Sequence, residues 1–420
     1  VAFLLLVKKE RRRKDMKAKN LLFVVLFVLL ALISTSSFNA AIAKEKGPIN
    51  FVYVTDLTGP INAQAAPLGW AVEDYFKWRN EQGGINGHKV NVELVDTKYQ
   101  LPLIRSTYTR IKDRKNTAIS FDSLSGGIEA LKEQFKKDQI PVLMITGHGP
   151  ALYPPGWVIA TMSPYDDALC VTADWIMANW KEKRKPRLAL LLGDYASGRS
   201  PEMAKWYCEQ KGIEIVGTEY VPLLPTDTSD LLIRTRDKKP DFVFDTLMPG
   251  QIKVVLRDKQ RLGIKIPQVN FVFNSFLITK TVPPEAYDGY MGIEVARSWW
   301  EKDVPGIQLA YKLYAKRGPT PPYAYVAAVG AAMVWEQAVK NAIETVGYEK
   351  MDGKSIMDGF MKIKDFTAMG IYKEIAYTKD DLRGNKWAKI SRLNKDGSIK
   401  SVADWMVVPH NLKLKAESGK

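Results

Sequence analysis

The chain has 420 residues and a formal charge of +15. Its lysines are scattered over helix-like faces (Lys132, Lys136 and Lys137; Lys181, Lys183 and Lys185). No basic tract is interleaved with aromatics, which excludes nucleic-acid binding as the meaning of the charge.

At the N-terminus, Leu21 to Ile33 (LLFVVLFVLLALI) is a run of 13 apolar residues, short against the roughly 20 needed to span a bilayer. Lys17 and Lys19 precede it, and Ala41-Ile42-Ala43 places small residues where a signal peptidase reads. A secretory signal peptide cleaved after Ala43 is the expectation, with an uncleaved anchor as its rival. Residues 1–15, VAFLLLVKKERRRKD, fit no part of that plan, so Met16 is the expected initiator. No Cys follows the apolar run directly to carry a lipid. The mature chain then holds 377 residues, enough for two ordinary domains. Residues 1–43 hold eight Lys/Arg and two Asp/Glu, so the mature charge falls from +15 to +9. In an oxidising compartment Cys170 and Cys208, both in helical patterns, are open to a disulfide. Spacing does not decide the pairing, and two buried thiols are the expectation.

Strand-like and helix-like segments then alternate. INFVYV (49–54) reads as a strand, and Pro67 to Gln82 as a helix with Trp70, Ala71, Asp74, Tyr75 and Trp78 at helical spacing. Gly83-Gly84 closes that helix, Asn86-Gly87 turns the chain, and KVNVELV runs back as a strand. A helix opens near Pro102, TAISF (117–121) is a strand, a helix carries Ile128, Leu131 and Phe135, and IPVLMI (140–145) is a strand. After WVIAT, a helix starts with Ser163 as N-cap, Pro164 in the first turn and Asp166 three residues on. The same beat repeats through RLALLLG (187–193), IEIVGTEY (213–220), PDFVFDT (240–246), PQVNFVF (267–273) and YMGIEVA (290–296). Helices are centred near 205, 232 and 256, and helical stretches fill 304 to about 346. Near-continuous apolar strands alternating with helices imply α/β architecture with parallel sheets covered on both faces. Two such runs, separated near 162, predict two doubly wound domains.

Ligands of open parallel sheets bind outside the carboxyl ends of the strands. Those ends are TDLTGP (55–60), SFDSLSGG (120–127), ITGHGP (145–150), GDYASGRS (193–200), DTLMPGQ (245–251) and NSF (274–276). Ser123 and Ser125, ahead of a helix, suit a carboxylate, although either could serve only as an N-cap. His148 is the one histidine at a predicted strand end, a ligand contact or an incidental loop residue. His88, His148 and His410 lie too far apart in sequence to suggest a metal spacing. No G-x-S-x-G, H-E-x-x-H, G-K-[ST] phosphate loop or G-x-G-x-x-G after a strand occurs, which leaves a hydrolase using Asp194 or His148 as a weak alternative.

GGINGHKVNVELVD after a helix, with INFVYVTDLTGP before it, resembles the start of the periplasmic Leu/Ile/Val-binding protein family, the solute-binding subunits of ABC importers. The likeness continues in IPVLMIT, RLALLLGDYASGRSPEMAKWYCEQKGIEIVG, LLPTDTSDLLIRTRDKKPDFVF and LRDKQRLGIKIPQ, and covers nearly all of residues 49 to 340. The resemblance implies two doubly wound parallel-sheet lobes joined by a three-crossover hinge, the type I periplasmic binding protein fold. Lobe one would be 48–163 and 297–381, and lobe two 164–296 and 382–412. It implies a non-enzymatic protein without cofactor or metal, likewise a monomer delivering a small carboxylate-bearing ligand (a branched-chain or related amino acid) to an inner-membrane permease. The same fold binding an aromatic acid or an amide, or reporting to a sensor, is the alternative.

The family's carboxylate contacts match Ser123, Ser125 and the Thr146-Gly147 turn, with His148 beside them. The family's D-x-x-Y-G pattern stands here as Asp194-Tyr195-Ala196-Ser197-Gly198, with Ser197 where a tyrosine is usual and Tyr195 as a possible substitute. Where branched-chain amino-acid binders offer a carboxylate to the ammonium group, this chain has Asn274-Ser275-Phe276, with Asp245 and Asp56 as candidate replacements. Trp175, Trp206 and Trp335 sit at helical spacing and are expected to pack.

Overall fold

The computed structural model describes residues 46–419 apart from Thr146, Phe273 and Asn274, and gives the backbone alone at 275–277. The signal peptide and start-site expectations therefore lie outside the described residues, as do Thr146 and Asn274. From residue 48 onward the chain forms one compact unit built on two sheets.

The first sheet contains β1 (Ile49–Thr55), β2 (Val90–Asp96), β3 (Thr117–Phe121), β4 (Val142–Met144) and β5 (Val158–Ala160), all parallel, in the order 2-1-3-4-5. The second contains β6 (Arg187–Gly193), β7 (Glu214–Val221), β8 (Phe242–Asp245), β9 (Gln268–Asn270), β10 (Met291–Glu294), β11 (Trp387–Leu393) and β12 (Ile399–Val407), in the order 12-11-10-9-8-6-7. Read from β6, its parallel part repeats the doubly wound order of the first sheet. Each sheet thus reverses direction once, between β1 and β3 and between β6 and β8, and such reversals open the crevice in which ligands of this architecture sit.

The apolar strand cores form as their sequences predict: β1 and β6 are buried along almost their whole length. Several expectations need correction. The second sheet is not wholly parallel, because β11 and β12 return as an antiparallel pair beside β10. The turn Lys395-Asp396-Gly397 between them was the available signal, with Gly397 at φ +79°. Ser163 also does not cap its helix. That helix runs Tyr165–Asn179, Pro164 occupies the cap position, and the Ser163 hydroxyl donates to the Asn385 carbonyl (2.9 Å). Near residue 205 the expected helix is broken into Ala196–Arg199, a 3₁₀ turn over Ser200–Ala204 and Lys205–Gln210, with Pro201 in the turn.

The GGING turn follows the helix Asn62–Glu81, which begins five residues before Pro67. Gly83, Gly84, Asn86 and Gly87 all take positive φ, and a Cβ at Gly84 would collide with the His88 carbonyl oxygen. This turn is architectural: it folds β2 back against β1 without slack. Trp335 is buried in the helix Tyr323–Val346 against Phe51 and Phe360, which bears out its packing role. Cys170 and Cys208 are free, buried thiols. Burial pushes Cys208 up to about 12 and Cys170 well above the ordinary thiol range, so both stay protonated.

Candidate functional site

Loops from both switch points meet between the sheets. At the end of β3, the buried Asp122 accepts hydrogen bonds from the Tyr53 hydroxyl (2.9 Å), the Ile145 amide (3.1 Å) and its neighbour Ser123 (2.9 Å). Burial is the main influence on this carboxyl and raises it to about 7 against those three donors. Asp122 thereby ties the loop after β3 to the loop after β4. Ser123 is held at φ +57°, a conformation that is uncommon without glycine and persists only where the surroundings fix it. Ser125 is the first residue of the helix Ser125–Asp138, whose cap position belongs to Leu124 with no side-chain cap. Neither serine is therefore spent on capping.

From the second sheet, the Ser197 amide donates to the Ser125 hydroxyl oxygen (3.2 Å). A Cβ at Gly126 would lie 3.8 Å from the Ala196 Cβ, in ordinary contact. Three tyrosines gather at the same place. The Tyr99 side chain lies beside Ser125, and that of Tyr165 beside Ser197. The Tyr165 ring lies against Phe271 with centroids 3.8 Å apart. Tyr195 packs on Gly193 and Gly198 and donates its hydroxyl to the Thr246 carbonyl (2.5 Å). Burial raises all three phenols, so each acts as a neutral hydroxyl. The result is a pair of buried serines among aromatic side chains. It can hold an anion through hydroxyl donors and a flat or apolar body through ring faces.

The acidic candidates are engaged elsewhere. Asp56 is buried and accepts from the amides of Gly59 and Ile61 on its own loop. Asp245 is buried and accepts from Leu247 N (3.0 Å), Gln268 Nε2 (2.7 Å), Asn270 Nδ2 (2.5 Å) and the Tyr290 hydroxyl (3.2 Å). These four donors come from its own loop, β9 and the residue ahead of β10, and they hold the strands together. Asp194 forms a surface ion pair with Arg199 (2.6 Å). His148 is buried with Nε2 3.1 Å from Glu129 Oε2. Asp194 and His148 thus serve separate partners, and no nucleophile–base pair arises between them. Gly147 accepts the Tyr165 amide through its carbonyl (3.1 Å), so it positions an aromatic wall. Among the described residues no group of three or more His, Cys, Asp or Glu could hold a metal ion. No helix among them is long and apolar enough to cross a membrane.

Of the expected residues, Ser125, Ser197 and Tyr195 come together, Ser123 and Gly147 flank them, and Asp56, Asp245 and His148 turn to partners of their own. Tyr99, Asp122, Tyr165 and Phe271 were missed. The strand-end rule itself reaches the first three, since Tyr99 follows β2, Asp122 follows β3 and Tyr165 follows β5.

At the peptides linking the sheets, Asn385 donates its amide to Thr161 O (2.8 Å) and its side-chain Nδ2 to Val295 O and Trp387 O (both 2.6 Å). Arg383 is buried against Asp167 (2.6 Å) and Asp381 (3.0 Å). One cluster thus clamps the segments near 161, 295 and 385.

No curated protein sequence matches the chain. Solved structures share its fold. A branched chain amino acid ABC transporter protein from Thermus thermophilus with bound valine is 21% identical, with TM-score 0.77 over 89% of this chain and 99% of that one. A fatty acid ABC transporter substrate-binding protein from Thermomonospora curvata is 19% identical, with TM-score 0.75 over 87% and 94%. A solute binding protein of an ABC transporter from Rhodopseudomonas palustris BisB5, in complex with 3,4-dihydroxy benzoic acid, is 18% identical, with TM-score 0.70 over 86% and 98%. The family model described as periplasmic binding protein matches residues 48–398, and with it the doubly wound pair of sheets and the meeting of their strand-end loops find their place: the chain belongs to the periplasmic binding protein family.

Proposed function

We propose that this chain is the exported solute-binding component of an ABC importer, which traps a small carboxylate-bearing ligand between two lobes and hands it to a membrane permease without altering it. In this reading lobe one is 48–163 with 297–381 and lobe two is 164–296 with 382–412. The ligand touches both lobes only in the closed form and favours that form by its differential affinity. Family membership and the solute-binding relatives support the transport role.

One observation narrows the ligand: every acidic side chain considered for the cleft is already committed, Asp56 and Asp122 to amides and a phenol, Asp194 to Arg199, Asp245 to four donors. An ammonium group buried without a partner costs several kcal/mol, while a micromolar dissociation constant represents about 8 kcal/mol in all. The ligand is therefore a carboxylate without an ammonium group, its apolar or aromatic body resting among Tyr99, Tyr165 and Phe271. Mass spectrometry of the small molecule released on denaturing the purified protein tests this. A thermal-shift panel of amino acids, aromatic acids, aliphatic acids and amides gives the second readout. Valine or leucine as the strongest stabiliser would overturn the ligand class, and stabilisation by no acid at all would overturn the site.

A further inference from the structure

Opposite the cleft, at the amino ends of β8, β9 and β10, lies a groove of about 700 Å³. That is within the range of about 300–1,000 Å³ usual for small-molecule sites. Its walls include Trp175 and Phe242, whose rings meet edge to face at 5.8 Å, together with Ile266 and Tyr290. Three cations line it: Lys259, Lys265 and Arg392. None of them forms an ion pair with a carboxylate among the described residues, although two acids line the same groove. Glu285 pairs with Lys395 outside the lining (3.2 Å), whereas Asp288 accepts only the neutral Lys395 backbone amide (2.9 Å) and keeps its charge. Three cations against one unpaired acid leave the groove with net positive charge beside apolar walls.

Its donors are also under-used. Lys259 gives hydrogens to Ile266 O (2.6 Å) and Gln268 Oε1 (3.0 Å), which leaves the third ammonium hydrogen. The Trp175 indole nitrogen is buried and has no acceptor among the described residues. Burial lowers Lys259 to about 8, with Asp245 opposing the shift, so an anion placed in the groove would relieve a desolvated cation.

We propose that this groove is a second binding site, taking an organic anion with an aromatic or apolar body, independent of the cleft between the sheets. The apolar walls receive the body, and Lys259, Lys265 and Arg392 receive the charge. The cleft uses carboxyl ends of strands and this groove uses amino ends, so the two occupants do not compete for the same atoms.

The test is a fluorescence titration of the full mature chain with 1-anilinonaphthalene-8-sulfonate, an aromatic sulfonate. One saturable site is expected, weakened by added salt. Lys259→Gln combined with Arg392→Gln should raise the apparent Kd at least tenfold. Because Lys259 also bonds the backbone, the exposed pair Lys265→Gln and Arg392→Gln is measured beside it and should raise Kd at least threefold with an unchanged circular dichroism spectrum. Non-saturating fluorescence, or wild-type affinity in both variants, overturns the proposal. So does loss of dye binding in Ser125→Ala with none in the groove variants, since the dye would then be reporting the cleft.

Discussion

Asp245 offers a sharp test of the distinction between a ligand-binding acid and a structural one. The carboxyl is fully buried, and desolvation raises it from 3.8 to about 6 in spite of its four donors. A group whose folded pKa is raised stabilises the fold fully below its unfolded pKa, and that contribution is lost as pH rises through the folded value. Two pKa units correspond to about 3 kcal/mol over the whole titration, at 1.36 kcal/mol per unit. Between pH 4.5 and 7.5 about 2 kcal/mol of it remains to be lost, because the unfolded carboxyl is already largely ionised at the acid end. Asp245→Asn removes this titration. The variant is less stable in absolute terms, since the new amide hydrogens face Gln268 and Asn270 donors. The difference between the two proteins should nonetheless shrink by about 2 kcal/mol as pH rises across that window. Asp122 and Asp167, both raised to about 7 by burial, and His410, lowered to about 4 by burial, titrate in both proteins and cancel from the difference. The assay is urea unfolding followed by tryptophan fluorescence at pH 4.5, 5.5, 6.5 and 7.5. Parallel stability curves for the two proteins would refute a desolvated Asp245, and a ligand affinity that fell with the substitution would return it to the cleft.

Ser125→Ala removes the acceptor of the Ser197 amide and, in the proposed site, a donor to the ligand carboxylate, and should weaken binding by about 1–3 kcal/mol in a calorimetric titration; Asp56→Asn, confined to its own loop, should leave the affinity within error. Arg383→Ala strands the buried Asp167 carboxylate and should cost about 3–5 kcal/mol of unfolding free energy, so a loss under 1 kcal/mol would show that water reaches the pair. Cys170 and Cys208 should react with a thiol reagent only in denaturant; modification of the folded protein at the unfolded rate would contradict their burial.

Much of the scaffold was legible in the residues themselves. Apolar runs such as Leu188–Leu192 can be buried on both faces only in a covered sheet, and the glycines at 83, 84 and 87 announce backbone that few other residues adopt. Local periodicity, turn chemistry and the order of the segments therefore determined the α/β class, the alternation of elements and the strand ends where a site would form, while the family was legible only through the resemblance of particular segments. The same logic singled out the serine at 125 as a candidate. What sequence could not decide is where a carboxylate spends its hydrogen bonds. Asp122 and Asp245 both end strands, and only the folded chain brings Tyr53 to the one and Gln268 to the other. Partners 23 to 69 residues away, as for Asp245 and Asp122, leave no local pattern. The return of β11 and β12 to the second sheet, and the clamp around Asn385, which Ser163 joins from 222 residues away, are decided by tertiary packing for the same reason. Secondary structure follows from near neighbours along the chain, whereas the charge and polarity of a cleft follow from which distant donors fold onto each acid.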